Sequence, residues 1–225
     1  MYSACVFLPL IAAFISGFFG RIIGDRGAQI VTSSALVISF FISLLILNDV
    51  AFEGNVYEVQ LLTWISSGSF EVSWALQFDS LTAVMVFVVT IVSSVVHIYS
   101  IGYMAHDAHI PRFMAYLSLF TFSMLVLVTS SNFIQLFFGW EGVGLCSYLL
   151  IGFWYTRESA NAAAIKAFLV NRVGDFGFAL GIFAIFLTFG SMEFDQIFAM
   201  APNFIGHTSI FLGAEVDTLT LICLL

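Results

Sequence analysis

The stretch Phe137 to Tyr155, FFGWEGVGLCSYLLIGFWY, decides how this chain folds, because it sets one carboxylate, Glu141, inside a run otherwise fit only for lipid. With a helix starting near Asn132, Glu141 lies roughly 14 Å along the axis at 1.5 Å per residue, close to the middle of a ~30 Å hydrocarbon layer. An acid at that depth costs about 2.5–3.5 kcal/mol to insert, so it is expected to face a partner or a wet cavity. Two readings follow: a hydrogen-bonded lock between helices, or a proton-carrying site. The second is preferred, since ionisable groups inside spans mark ion and proton paths. On a helical wheel Glu141 shares its face with Phe137, Phe138, Gly144, Leu145 and Tyr148, whereas Gly139, Gly142 and Cys146 form a small-residue flank that lets another helix approach.

The rest of the chain has the same character. Of 225 residues, 61% are hydrophobic and 9% charged, which excludes a soluble globular domain and implies several membrane-spanning helices. With six basic residues in all, nucleic-acid binding is excluded. The three cysteines, Cys5, Cys146 and Cys223, sit in apolar stretches without C-x-x-C spacing, so they read as small buried hydrophobes rather than disulfides or ligands of zinc or iron–sulfur clusters. The N-terminal run lacks a basic leader and is expected to be a retained first span, not a signal peptide.

Spanning runs appear at about Tyr2 to Ile23, Ala28 to Val50, Phe78 to Met104, Arg112 to Ser130, Asn132 to Tyr155 and Ala160 to Gly190, with a seventh expected from near Thr208. The expected architecture is an all-α polytopic membrane protein. Residues 1–50 hold spans one and two, 51–77 an outer-surface hairpin, and 78–190 spans three to six with the charges of a proton channel. Residues 191–207 form an outer loop with a short amphipathic helix, and 208–225 the start of a truncated seventh span. Arg21, Arg26, Arg112 and Arg157 fall in loops that alternate with loops carrying Asp49, Glu53, Glu58, Glu71, Asp79, Glu193, Asp195, Glu215 and Asp217. The positive-inside rule puts the arginine loops inside and the N-terminus outside. YEVQLLTWISSGSFEVSWAL, residues 57–76, has two apolar runs around Ser66-Ser67-Gly68 and reads as a β-hairpin, with Trp64 and Trp74 suited to the lipid boundary. Asp79-Ser80 opens the third span and reads equally as a helix cap or as a functional group.

The sixth span adds three ionisable groups. Lys166 lies near the inner end and reads equally well as a lysine snorkelling to the interface or as a group working inside the protein. Arg172 and Asp175, three residues apart, are expected to neutralise each other on one helix face. An arginine does not give up its proton, so this pair reads as structural or tuning rather than as a carrier. Glu141 has no such neighbour in sequence, and a lysine on another helix would suit it better than an arginine. Lys166 is the one lysine in the sequence, and it is expected to lie nearer the inner surface than Glu141. His97, near the inner end of span three, is expected to bond a backbone or hydroxyl group, with a proton relay as the alternative. His106, His109 and His207 fall in loops.

VHIYSIGYM (96–104), RFMAYLSLFTFSMLVLV (112–128), LFFGWEGVGLCSYLLIGFWY (136–155) and ANAAAIKAFLVNRVGDFGF (160–178) together resemble the largest antiporter-like membrane subunits of respiratory complex I, NADH:quinone oxidoreductase. The resemblance covers nearly the whole chain. It implies an antiporter-like helical bundle of two five-helix repeats of opposite topology, followed by a lateral helix, in the membrane that couples respiration to proton transport. It also implies that Glu141 matches the family's fifth-helix glutamate, and Arg172 and Asp175 the charged pair of NRVGD. In the family that glutamate works with a lysine on the seventh helix, which lies beyond Leu225 here. A helix stopping at Leu225 without a cap or basic anchor is expected to be part of a longer chain, or of a split subunit completed by a second polypeptide. The function implied is proton translocation, the redox chemistry being done elsewhere: NADH, FMN, iron–sulfur clusters and quinone are expected in partner subunits and no cofactor in this chain. The expected partners are other membrane-arm subunits, above all an adjacent antiporter-like subunit, and the lipid bilayer. A large subunit of a cation/proton antiporter, which shares the fold, and a structural piece without transport of its own are the alternatives.

Overall fold

The structure, a computed structural model, describes residues 1–68, 70–211 and 213–225. Its longest helix, α1 (Tyr2–Leu47), contains the first two expected spans. They are separated at Gly24, whose φ of 68° and ψ of 178° fall in a region open to glycine alone. The chain folds back there, so the arms before and after Gly24 run antiparallel. Cys5 Sγ donates to the Ser39 carbonyl at 3.4 Å, and the Tyr2 hydroxyl donates to Asp49. Each arm is about 33 Å long, enough to cross a bilayer. A short π-helical turn, Asn48–Phe52, closes the second arm.

An antiparallel hairpin follows, β1 (Tyr57–Ser67) and β2 (Phe70–Phe78), with Tyr57 opposite Phe78 and Ser67 opposite Phe70. Ser69, in the expected turn, lies outside the described residues. In β2, Val72, Ala75, Leu76 and Phe78 are buried, while β1 is largely exposed. The hairpin thereby caps one end of the helices through the apolar cluster of Cys5, Val6, Ile46, Leu76, Phe78 and Leu125. Because the hairpin runs on to Phe78, the third span begins at Ser80: α2 (Ser80–Tyr103) is capped by Asp79, whose carboxylate accepts from the Thr82 amide at 2.7 Å.

The remaining long helices are α3 (Ile110–Val128), α4 (Phe133–Ile151) and α5 (Glu158–Phe189). The fifth span therefore ends at Gly152 rather than Tyr155, the segment up to Arg157 being turns. A short helix, α6 (Phe194–Met200), occupies the place expected for the amphipathic segment. The expectation of a seventh helix from Thr208 fails. Residues Thr208–Phe211 and Ala214–Asp217 form a second hairpin, β3 and β4, and helix α7 (Thr218–Leu224) starts only where Asp217 accepts from the Thr220 amide at 2.8 Å. Of the two strands only AEVD alternates with a two-residue period, and the Asp217 cap sets where the helix begins. Leu212 lies outside the described residues.

Contacts sort the connections into two ends. At one, β2 bonds to the α3–α4 turn (Gln77 amide to Thr129 carbonyl, 2.9 Å), and that turn pairs with the segment after α5 (Phe194 amide to Ser131 carbonyl, 3.1 Å). At the other, Arg112 Nη2 donates to the Phe153 carbonyl at 3.1 Å and Trp154 Nε1 to Asp107 at 2.9 Å. Every loop carboxylate from Asp49 to Asp79 and from Glu193 to Asp217 belongs to the hairpin end, and Arg21, Arg26, Arg112 and Arg157 all belong to the opposite end. Between the ends the helices meet through hydroxyls and small residues, as membrane helices do. Ser43 and Thr90 join α1 to α2 at 2.8 Å, and Ser94 donates to the Leu36 carbonyl at 2.9 Å.

Candidate functional site

Helix α4 is set by its neighbours on both flanks. A Cβ at Gly139 would lie 2.6 Å from the Leu127 Cα, and one at Gly142 2.8 Å from the Ser123 Oγ. The small-residue flank is where α3 comes closest. The opposite face of α4 meets α5 through rings: Phe137 with Phe178 at 5.5 Å and Tyr148 with Phe168 at 5.4 Å. Phe138, placed by the wheel beside Glu141, instead packs on Trp64 and Trp74 of the hairpin at 5.7 and 5.0 Å.

Between these ring contacts α4 brings Glu141 against α5. Arg172 Nη1 donates to Glu141 Oε1 at 2.5 Å and lies 3.6 Å from Asp175 Oδ2. The Arg172–Asp175 pair expected from the spacing is present, and Arg172 is shared with Glu141, a partner that spacing along one helix does not give. Lys166 sits about 9 Å farther along α5 toward the arginine end, is exposed, and makes no ion pair among the described residues. The reason is helical geometry: the α4–α5 contact puts Glu141 level with Arg172, and the long guanidinium arm, resting on the Phe168 ring at 4.8 Å, spans the gap.

Asp175 is held by a residue that sequence reasoning missed. Trp140 Nε1 donates to Asp175 Oδ1 at 2.8 Å, and Asp175 is buried. Nothing in the spacing of the sequence singles out Trp140. Only its indole N–H, a donor needing a partner when shielded from water, signals otherwise. These residues line a cavity of about 300 Å³ with Ser147 and Asn171, room for several waters at about 30 Å³ each. The described chain thus brings together there two carboxylates, Glu141 and the tethered Asp175, around one fixed cation.

His97 is elsewhere. It is fully buried on α2, with Nδ1 2.8 Å from the Ser93 carbonyl and Nε2 3.0 Å from the Ser118 hydroxyl of α3. Ser93 continues to Thr121 at 2.5 Å. The chain of hydroxyls matches the plainer expectation for this histidine and does not reach the lining of the Glu141 cavity.

Spanning helices packed through small residues, with an ion pair held between two of them, define a multi-pass helical membrane domain. The family profile described as NADH-Ubiquinone oxidoreductase (complex I), chain 5 N-terminus, matches residues 64–114. That described as NADH:quinone oxidoreductase/Mrp antiporter, TM, matches residues 130–222. NADH-ubiquinone oxidoreductase chain 5 of Chondrus crispus is 53% identical over all of this chain and 34% of its own length. The subunit L of NADH-quinone oxidoreductase from Rickettsia felis is 51% identical over 98% of this chain and 34% of its own. The chain belongs to this family of antiporter-like membrane subunits, and spans about a third of the length of the curated relatives it matches. Two solved structures share the fold. A chain of the archaeal membrane-bound sulfane sulfur reductase superposes with a TM-score of 0.75 at 16% identity, covering 90% of this chain and 40% of that one. A chain of the Mrp complex from Dietzia does so with 0.73 at 22% identity, covering 87% and 20%.

Proposed function

We propose that this chain is part of a proton-translocating membrane subunit of NADH:quinone oxidoreductase, with Glu141 as the group that takes and releases the proton. The observation that carries the proposal is the sharing of Arg172 between Glu141 and Asp175, at 2.5 and 3.6 Å, beside a cavity with room for water. Arginine keeps its charge, so in this proposal the proton is carried on Glu141 rather than on Arg172. A proton arriving on Glu141 cancels its hold on Arg172. The guanidinium then turns to Asp175, which Trp140 keeps in place, and loss of the proton restores the first pair. On this reading Arg172 and Asp175 set the energy of the carrier rather than carry protons, and Lys166 and His97 stand outside this step.

NADH, FMN, iron–sulfur clusters and quinone belong to partner subunits on this proposal, an adjacent antiporter-like subunit being the nearest. Polypeptide corresponding to the rest of the relatives' length, in the same or a second chain, completes the path. The arginine end faces the inside of an energy-coupling inner membrane, leaving the N-terminus and the hairpins outside, because basic loops are retained there.

The test is Glu141→Gln in the assembled complex, with proton uptake per NADH oxidised measured in sealed vesicles. Glutamine keeps a hydrogen bond to Arg172, so assembly is expected to survive while pumping falls severalfold; unchanged pumping per electron removes Glu141 from the path. A second reading, the large subunit of a cation/proton antiporter, is favoured by the profile that spans both groups. Sodium-driven proton exchange in liposomes without NADH or quinone would select it. Absence of both activities would leave a structural role.

A further inference from the structure

At the arginine end, far from Glu141, the first arm of α1 crosses the start of α3 over a groove of about 690 Å³, a volume typical of ligand sites. Its floor is narrow because small residues meet there: a Cβ at Gly20 would lie 2.7 Å from the Pro111 Cβ, and Ser16 Oγ donates to the Pro111 carbonyl at 2.9 Å. Two arginines line it. Arg21 is exposed and has no ion-pair partner among the described residues. Asp25, also in the lining, is cut off from Arg21 by the break at Gly24, which spoils the one-turn spacing a helical pair needs. Arg112 spends one donor on the Phe153 carbonyl, and its Nε–H is shielded from solvent without an acceptor. At the start of α3 the Asp107 carboxylate accepts from the His109 amide at 2.8 Å, so the positive charge of the groove comes from the two arginines rather than from the helix end.

The groove therefore offers an anion the open donors of Arg21 beside the charge of Arg112. What continues from it is apolar: Phe18 and Ile22 stand on the adjoining stretch of α1, 73% and 81% exposed. We infer that this groove binds the phosphodiester headgroup of an anionic phospholipid, whose acyl chains lie along the Phe18–Ile22 ridge. A free phosphate would use the donors alone; the ridge selects a lipid.

The intact complex containing this chain is placed in vesicles carrying photoactivatable phosphatidylglycerol, or photoactivatable phosphatidylcholine as the neutral control, and labelled peptides are mapped. Peptides spanning 16–25 and 108–116 are expected to label with the anionic probe well above the control. Arg21→Gln is expected to lower that labelling about fivefold, the contribution of one arginine near an anionic surface, and Arg21→Lys to restore it. Arg21 makes no ion pair among the described residues, so assembly is expected to survive the substitution, and the yield of intact complex checks it. Equal labelling by both probes would reduce the groove to ordinary lipid contact. No labelling would mean that it is closed, and loss of labelling to inorganic phosphate at constant ionic strength would make it a small-anion site. Each of these three results overturns the inference.

Discussion

Arg172 reaches Glu141 because four side chains constrain it: the Phe168 ring beneath, Asp175 one turn on, Trp140 holding Asp175, and Glu141 opposite. Trp140 is the member whose role is least visible and most readily separated from the rest. In Trp140→Phe the ring that meets Phe178 edge-on at 6.2 Å is largely kept and the donor is lost. A hydrogen bond to a charged group contributes about 1.5–3 kcal/mol, so thermal unfolding of the purified complex should show a loss of that order with assembly preserved. An unchanged melting temperature would mean that Asp175 finds another donor. Arg172→Ala is expected to do more harm to assembly than Glu141→Gln, since it leaves a mid-span carboxylate unpaired at a cost of about 2.5–3.5 kcal/mol.

Packing of α3 on α4 depends on two glycines that are not equivalent. At Gly139 an added methyl meets the backbone of Leu127, with its N at 2.7 Å and Cα at 2.6 Å; at Gly142 it meets the Ser123 hydroxyl at 2.8 Å. Backbone cannot yield and a serine rotamer can. Gly139→Ala should therefore destabilise by about 1–3 kcal/mol, the usual cost of overpacking, and lower the yield of assembled complex, while Gly142→Ala stays near wild type. Equal effects would contradict the close approach at Gly139. The join between β2 and the segment after α5 responds to pH. Glu193 Oε1 accepts from Ser73 Oγ at 3.1 Å, and burial, reinforced by Glu58 and Asp195, pushes the Glu193 carboxyl above its usual range, the bonds from Ser73 offsetting only part. Between the ordinary and the raised value the folded form holds a proton that the unfolded form has released. Stability from this group is thus complete below that window and declines as pH rises through it. Exchange protection of the Phe194 amide, corrected for the intrinsic rate, should fall with rising pH in the wild type and stay flat in Glu193→Gln; protection that rises with pH would reverse the assignment.

The whole molecule is polarised: the loops at the hairpin end carry acids without lysine or arginine, and all four loop arginines lie at the other end, beside Asp25, Asp107 and Glu158. If the positive-inside rule governs insertion, a membrane-impermeant maleimide should label Val56→Cys from the outside of sealed vesicles and Ala105→Cys only after permeabilisation. The opposite pattern would invert the proposed orientation. Both positions are exposed and lie in connections at opposite ends, so neither substitution disturbs the spans.

Much of this was legible in the order of the residues. Apolar runs of spanning length, punctuated by glycine and charge, locate the long helices to within a few residues, because lipid leaves the backbone no other way to satisfy its hydrogen bonds. The first hairpin and the Asp79 cap follow from local pattern, and the depth of Glu141 follows from counting. Partners across helices did not follow. Spacing along α5 pairs Arg172 with Asp175, yet the fold turns that arginine toward Glu141, passes Asp175 to Trp140 and leaves Lys166 outside the cavity. Neighbours along one helix are set by its period; neighbours between helices are set by how closely Gly139 and Gly142 let α3 approach and by which rings stack between α4 and α5. Those distances arise from packing alone, and so does the exchange of an expected helix at Thr208 for a second hairpin ahead of the Asp217 cap.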